Sequence, residues 1–207
     1  MTHGYTVRSR TERFKGNVFR VLTDEVVMPG GQVAERDYVV HIGAVGVVAL
    51  DDEGRVVLVR QYRHAVGQEL WELPAGLIDQ DGEALDRAAV RELEEEADLT
   101  AGRVELLVDV HPSPGFSNEV IRLFLARDLR DVPHERRHER EYEEATMTVR
   151  RVPLDEAVAM AFRGEITNAA CLIGLLAATR ARDTGWTSPR PVDAPLPRRD
   201  LAPVVAG

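Results

Sequence analysis

Residues 83–97, EALDRAAVRELEEEA, set Leu85, Ala88, Ala89, Leu93 and Ala97 at three- and four-residue intervals. That period gives one apolar stripe on an α-helix, so the helix must lie on a core built by other segments. The same helix carries Glu92, Glu94, Glu95 and Glu96, and each like-charged pair three or four residues apart costs a few tenths of a kcal/mol (~0.2–0.5). Successive helical residues rotate by about 100°, so Glu92 and Glu96 stand about 40° apart and Glu95 about 60° to the other side. Glu94, about 200° away, points to solvent. Three carboxylates therefore share an arc beside the stripe. Either this is a solvated face, or a counter-charge comes from outside the chain.

The segments available to form that core are mostly β-rich. Residues 17–28 and 33–42 flank Pro29-Gly30-Gly31, a hairpin signal. Residues 44–50 (AVGVVAL) read as an apolar strand, Asp51-Asp52-Glu53-Gly54 as a turn, and residues 55–61 as the return strand. Further strands are predicted at 103–109, 120–126 and 145–152. Helices are predicted over 154–163 and from Thr167 or Asn168, either a plausible N-cap, to about 182. From Thr184 the chain is proline-rich and aperiodic. The order predicts an α+β fold with a mixed sheet between helices, organised as an N-terminal β section (1–42), a main domain (43–183) and a C-terminal tail (184–207).

Composition narrows the function. The net charge of −9 argues against general affinity for nucleic acid or anionic membrane. Cys171 is the sole cysteine, which excludes an intrachain disulfide and a cysteine-cluster metal site; on the apolar run CLIGLLAA it reads as core. His41, His64 and His111 are scattered and form no zinc pattern. The N-terminus lacks the apolar run of a signal peptide, and no stretch reaches membrane-spanning length, so a cytoplasmic enzyme or binding protein is expected.

Three features favour a metal over a solvated acidic face. The carboxylates border the apolar stripe, the acidic run has no lysine four residues on, and Pro74-Ala75-Gly76 lies just upstream, where a backbone carbonyl could reach the same place. Carboxylates and a carbonyl are hard oxygen donors, suited to Mg²⁺ or Mn²⁺ rather than zinc. Mg²⁺ sites are commonly completed by substrate phosphates, which points to phosphorus chemistry.

Residues 76–99, GLIDQDGEALDRAAVRELEEEADL, resemble the Nudix box through Gly76, Glu83, Arg91, Glu92, Leu93, Glu95, Glu96 and Leu99. Two departures stand out: six residues rather than five separate Gly76 from Glu83, and Asp98 occupies the final glycine position. The first falls in a loop, which absorbs insertions. At the second, Asp is one of the few residues that tolerate a left-handed helix end. The resemblance implies the Nudix fold, with metal ligation by Glu92, Glu95, Glu96 and the Ala75 carbonyl, Glu95 also counting as catalytic. Gly76, Glu83 and Arg91 would be structural, Glu83 pairing with Arg91.

Outside the box, RQYRHAVGQELWELPAG, HPSPGFSNE and the β-rich N-terminus resemble the ADP-ribose pyrophosphatase branch of that family, in which a proline lies where Pro114 does, fifteen residues beyond Leu99. That branch implies cleavage of ADP-ribose to AMP and ribose 5-phosphate, and a homodimer that swaps its N-terminal β section. Glu119 is the expected base or additional metal ligand, with Glu143 and Glu144 the alternatives. Arg63 is expected to contact a phosphate or the terminal ribose, because its guanidinium is a bidentate fork. Arg36 matches an arginine that reaches the partner subunit's substrate. Trp71 and Tyr62 could stack on adenine or simply pack. Other nucleoside diphosphate sugars are the alternative substrates. A non-catalytic nucleotide-sugar sensor is the alternative of a different class, disfavoured because every box ligand is kept and no basic DNA-binding helix appears. A calcium-binding helix lacks the required Asp/Asn-rich loop.

Overall fold

The computed structural model describes residues 4–140, 146–186, 190–197 and 201–205. They fall into two compact units. The first draws on the described residues of 1–43, 111–120 and 196–207, and the second comprises those of 44–110 and 121–195.

In the first unit, β1 (Thr6–Lys15), β2 (Phe19–Val27) and β3 (Val33–His41) form an antiparallel meander in that order. Pro29, Gly30 and Gly31 make the predicted turn between β2 and β3, with Gly31 at φ 80°. The strand β1 was not anticipated, because TVRSRTERFK has no apolar face to signal it. A polar ladder holds it instead. Arg10 forks onto buried Asp24 (2.7 Å twice), Ser9 donates to Glu25 (2.7 Å), and Arg13 donates to Thr23, which donates to Asp37. Both edges of this sheet are covered. Residues 116–118 run along β3, with Val39 N–H donating to the Phe116 carbonyl and Asn118 N–H to the Val39 carbonyl. Along β1, Val204 bridges Val7, and Val205 N–H donates to the Val7 carbonyl.

In the second unit the central sheet has the order β7-β4-β9-β8, from β7 (Ala75–Leu77), β4 (Ala44–Ala49), β9 (Ile121–Asp131) and β8 (Leu99–Val110). The sheet is mixed, since β4 runs parallel to β9 and antiparallel to β7. Alternate residues of β4 enter two cores. Val45, Val47 and Ala49 pack with α1 (Leu85–Ala97), while Val48 packs with α3 (Ala169–Asp183) through Leu175 and Ala178. Burial on both faces explains why this strand is apolar throughout. Gly174 lets α3 lie close, for a Cβ there would come 2.7 Å from Leu73 and 3.0 Å from Val48. The expected α+β fold, a mixed sheet between helices, is the one found.

The hairpin expected over 44–61 is not. Its turn forms, with Asp51 N–H bonding to the Arg55 carbonyl, but Leu50–Val56 is the last bridge. Beyond it β5 (Arg55–Arg63) diverges into a second sheet with β10 (Thr148–Pro153) and β6 (Gln68–Glu72). The neighbours of β4 are already β7 and β9, so no edge is left for β5.

The helices follow their caps. Asp98 ends α1 at φ 55°, the left-handed conformation that its sequence position demands. The Asn168 side chain accepts the Cys171 N–H at the start of α3, and α2 (Leu154–Phe162) lies between β10 and α3 in the chain. Cys171 is core, as expected. No helix among the described residues is long and apolar enough to cross a membrane. Residues 190–195 of the proline-rich segment are docked rather than trailing: Val192 and Ala194 pack beside the α1 core, and Arg122 donates to the Ala194 and Pro195 carbonyls.

Candidate active site

The carboxylates of α1 meet one guanidinium. Arg91 donates to Glu83 through Nε (3.2 Å) and Nη2 (3.1 Å) and to Glu92 through Nη1 (2.6 Å), and Glu95 lies 3.5 Å from Nη1. The Glu83–Arg91 pairing implied by the box is therefore present. Glu96 turns elsewhere, accepting the Ala75 N–H at 2.9 Å. The helical arc places Glu92 and Glu96 against the protein, 8% and 4% exposed, while Glu95 and Glu94 are half-buried.

Gly76 explains how Glu92 comes so close to β7. A Cβ on that residue would lie 2.1 Å from the Glu92 carboxyl carbon, so only glycine leaves room for the carboxylate. Burial, opposed by Arg91 and reinforced by Glu95, pushes the Glu92 carboxyl up to about 7. Arg91 is driven up, first by its bond to Glu83.

Among the described residues no three His, Cys, Asp or Glu side chains are arranged as a ready-made metal cage. The geometry shows why: Glu92 is turned onto Arg91 and Glu96 onto the β7 backbone. The donor set itself suits a hard divalent cation. It is all oxygen, crowded, partly desolvated and short of positive charge. The glycine cradle at Gly76 keeps Glu92 within the group.

The other sequence-derived residues lie apart in the chain. Glu119 belongs to the first unit, where its carboxylate faces His41 Nδ1 at 3.5 Å and its N–H donates to Ser117 Oγ. Arg36, also in the first unit, donates to the Glu35 carbonyl and lines a cavity of about 540 Å³ with Arg10, Tyr38, His111 and Asn118. Arg63, in the second unit, forks onto buried Glu72 of β6 (3.0 and 2.6 Å), although its register partner across β5 and β6 is Gln68. Trp71 is half-buried with Arg60 over its ring at 5.8 Å, and exposed Tyr62 stands beside His64. Glu143 and Glu144 lie outside the described residues.

Sequence reasoning missed the buried pair of Asp109 and Arg122, joined at 2.7 and 3.0 Å, with Arg190 also on Asp109. It also missed Leu201 and Ala202, which line the cavity that contains Arg36. The only available signal was register: Asp109 and Arg122 face each other across β8 and β9.

Residues 40–171 match the family model described as NUDIX domain. The chain belongs to the Nudix family. It is 44% identical over 191 residues to an ADP-ribose pyrophosphatase of Mycobacterium tuberculosis, covering 92% of this chain and 90% of that protein. It is 32% identical to an ADP-ribose pyrophosphatase of Bacillus subtilis, over 78% of this chain and 85% of that one. A solved structure described as an ADP compounds hydrolase superposes with a TM-score of 0.73, covering 88% of this chain and 97% of its own, at 21% identity, a likeness of fold. As a Nudix protein, the chain carries the Arg91-centred carboxylates as its box helix.

Proposed function

We propose that this Nudix hydrolase is an ADP-ribose pyrophosphatase that adds water across the pyrophosphate to release AMP and ribose 5-phosphate. The observation that carries the reading is the carboxylate group of α1, held by Arg91 and Gly76. The relatives named for that activity match over most of the chain. Mg²⁺, with Mn²⁺ as a substitute, would be held by Glu92, Glu95, Glu96 and the Ala75 carbonyl. When bound, the cation neutralises phosphate charge and makes water a better nucleophile. Glu119 accepts the proton of the attacking water as general base. Arg36 offers its guanidinium to the substrate held by the partner subunit; among the described residues it forms no ion pair. Arg63, held by Glu72 through Nε and Nη2 at the end of β5, is the expected contact for a phosphate or the terminal ribose.

The protein works in the cytoplasm as a homodimer whose N-terminal strands, residues 1–42, contact the partner. The support for the dimer is exposed apolar surface on the small sheet, including Phe14, Phe19 and Val33, which a monomer would leave in water. The test is to offer the purified protein ADP-ribose, ADP-glucose, diadenosine polyphosphates and nucleoside triphosphates with Mg²⁺ and to rank kcat/KM. ADP-ribose should lead, yielding AMP without orthophosphate in the first step. Tight binding without cleavage would favour the sensor.

A further inference from the structure

The last turn of α1 is built against its own dipole. The C-terminal end of a helix favours cations, yet α1 has no basic residue in its last turn and carries Glu94, Glu95 and Glu96 there. Backbone carbonyls at such an end also lack partners within the helix. Both needs are met by the segment that follows β9. Arg140 donates through Nε to the Glu95 carbonyl (3.0 Å) and through Nη2 to the Asp98 carboxylate (2.8 Å). Its half-buried guanidinium bridges the helix and the residue that ends it.

Asp98 is held through backbone and side chain alike. Its N–H donates to the Glu94 carbonyl, and its own carbonyl accepts the Val132 N–H at 2.8 Å. Its carboxylate has Arg137 at 3.9 Å besides Arg140, and Arg137 in turn donates to the Val132 carbonyl. A glycine here, as the box pattern has it, would adopt the φ of 55° and keep the backbone bonds, but would give neither arginine a carboxylate. The aspartate closes a network that joins the helix end to residues 132–140. All of these residues belong to the second unit.

We infer that Asp98 and Arg140 are positioning residues that hold Glu95 and Glu96 for the divalent cation. The inference rests on the metal reading above and adds two residues to it, Arg140 from outside the Nudix box. Arg140 fixes the Glu95 backbone, and with it the direction in which the last turn presents both carboxylates. Glu96, whose carboxylate accepts the Ala75 N–H, depends on the same turn. Charge and position make opposite predictions for Arg140. Removing a cation beside an acidic site would tighten the binding of a divalent cation, whereas losing the hold on the last turn weakens it.

The test is Mn²⁺ alone, titrated into the full chain without substrate and followed by electron paramagnetic resonance of the free ion. Asp98→Gly keeps the helix end, because glycine adopts the left-handed conformation freely, and Arg140→Gln removes the charge at similar length. Each should raise the Kd for Mn²⁺ about tenfold. The double variant should bind no more weakly than Arg140→Gln, since both replacements break one bridge. With ADP-ribose, the Mg²⁺ concentration for half-maximal rate should rise in step, while kcat at saturating Mg²⁺ returns toward that of wild type. Tighter Mn²⁺ binding by Arg140→Gln would overturn the inference in favour of charge alone. An unchanged Kd with only a lower unfolding midpoint would reduce the bridge to a structural tie and overturn it too, as would fully additive losses in the double variant. Wild-type Mn²⁺ binding that survives in both Glu95→Gln and Glu96→Gln would instead overturn the metal reading on which the inference rests.

Discussion

Replacing Asp109 with Asn isolates the charge that anchors the C-terminal stretch. Arg122 is buried, with Nε 2.7 Å and Nη2 3.0 Å from the two Asp109 oxygens. An Asn keeps one acceptor and turns an NH₂ toward the guanidinium, so one of those bonds becomes a donor facing a donor. Uncovering a buried charge costs about 3–5 kcal/mol. The Ala194 and Pro195 carbonyls remain as acceptors, which puts the expected loss near the lower bound, about 3 kcal/mol. For a chain of this size that lowers the unfolding midpoint by about 6–12 °C. Removing exposed Arg163 from Glu156 and Glu165 should leave the unfolding midpoint essentially unchanged, because surface ion pairs are screened by water. The pH dependence is fixed in sign. Burial raises the Asp109 carboxyl, but hydrogen bonds from Arg122 and Arg190 outweigh it and hold the group below the usual carboxylate range. A depressed carboxyl stabilises fully above its unfolded value, about 3.9, and the gain is lost as pH falls through the folded value. Differential scanning calorimetry from pH 8 to 3 should show a constant gap between wild type and Asp109→Asn that closes only below about pH 4. A gap under about 2 °C at pH 7, or one that widens on acidification, would refute the reasoning. The double replacement Asp109→Leu with Arg122→Met should recover much of the loss, since apolar pairs replace buried ion pairs at little cost.

Glu95→Gln and Glu96→Gln should each lower kcat by orders of magnitude in steady-state assays with Mg²⁺, while circular dichroism of the metal-free variants shows no loss of stability; near-normal turnover in both would remove the metal assignment. Glu119→Gln should lower kcat by about 10²–10⁴ with little change in KM, partly restored by Mn²⁺ if Glu119 is also a ligand, and a larger loss in Glu143→Gln or Glu144→Gln would transfer the base to that residue. Gly76→Ala must move the Glu92 carboxyl, since its Cβ would sit 2.1 Å from that carbon, so activity and stability should both fall, the free energy of unfolding by about 1–3 kcal/mol. Cys171, buried with its thiol pushed up to about 12, should resist a thiol reagent in the native protein and react at once in denaturant.

What was legible in the sequence was local. The apolar stripe of α1, the left-handed Asp98, the Asn168 cap and the turn at Gly31 each follow from residues within a few positions of one another. The box pattern supplied the pairing of Arg91 with Glu83, eight residues earlier in the loop before α1. What stayed hidden depends on partners far along the chain. The strand β1 carries charges where an apolar alternation would announce a strand, and its explanation lies in Asp24, Thr23 and Glu25 of β2. The β4–β5 turn looks like a hairpin because both flanks are apolar, yet that apolarity serves cores on two faces and two different sheets. The seat of the C-terminal stretch is set by Arg122 and Val7, 72 and more residues away, so proline content alone suggested a loose end.

The Arg91 cluster also explains why residues that touch no metal belong to the box pattern. One guanidinium faces Glu83, Glu92 and Glu95, with Asp79 at 3.9 Å, so negative charge is in surplus when these carboxylates ionise. Without Arg91 the three carboxylates would stand within reach of one another with no internal cation, and the helix would bear the full repulsion. With it, the group holds together while remaining short of positive charge, a deficit that a divalent cation would relieve. Gly76 acts on the same balance from the other side, for it brings Glu92 into contact with the β7 backbone and out of water, which raises its demand for a counter-charge. The insertion between Gly76 and Glu83 leaves this intact, since the loop still returns Glu83 to Arg91 at 3.1 Å. Asp98 preserves it as well, ending the helix one turn beyond Glu94, at the angle that a glycine would otherwise provide.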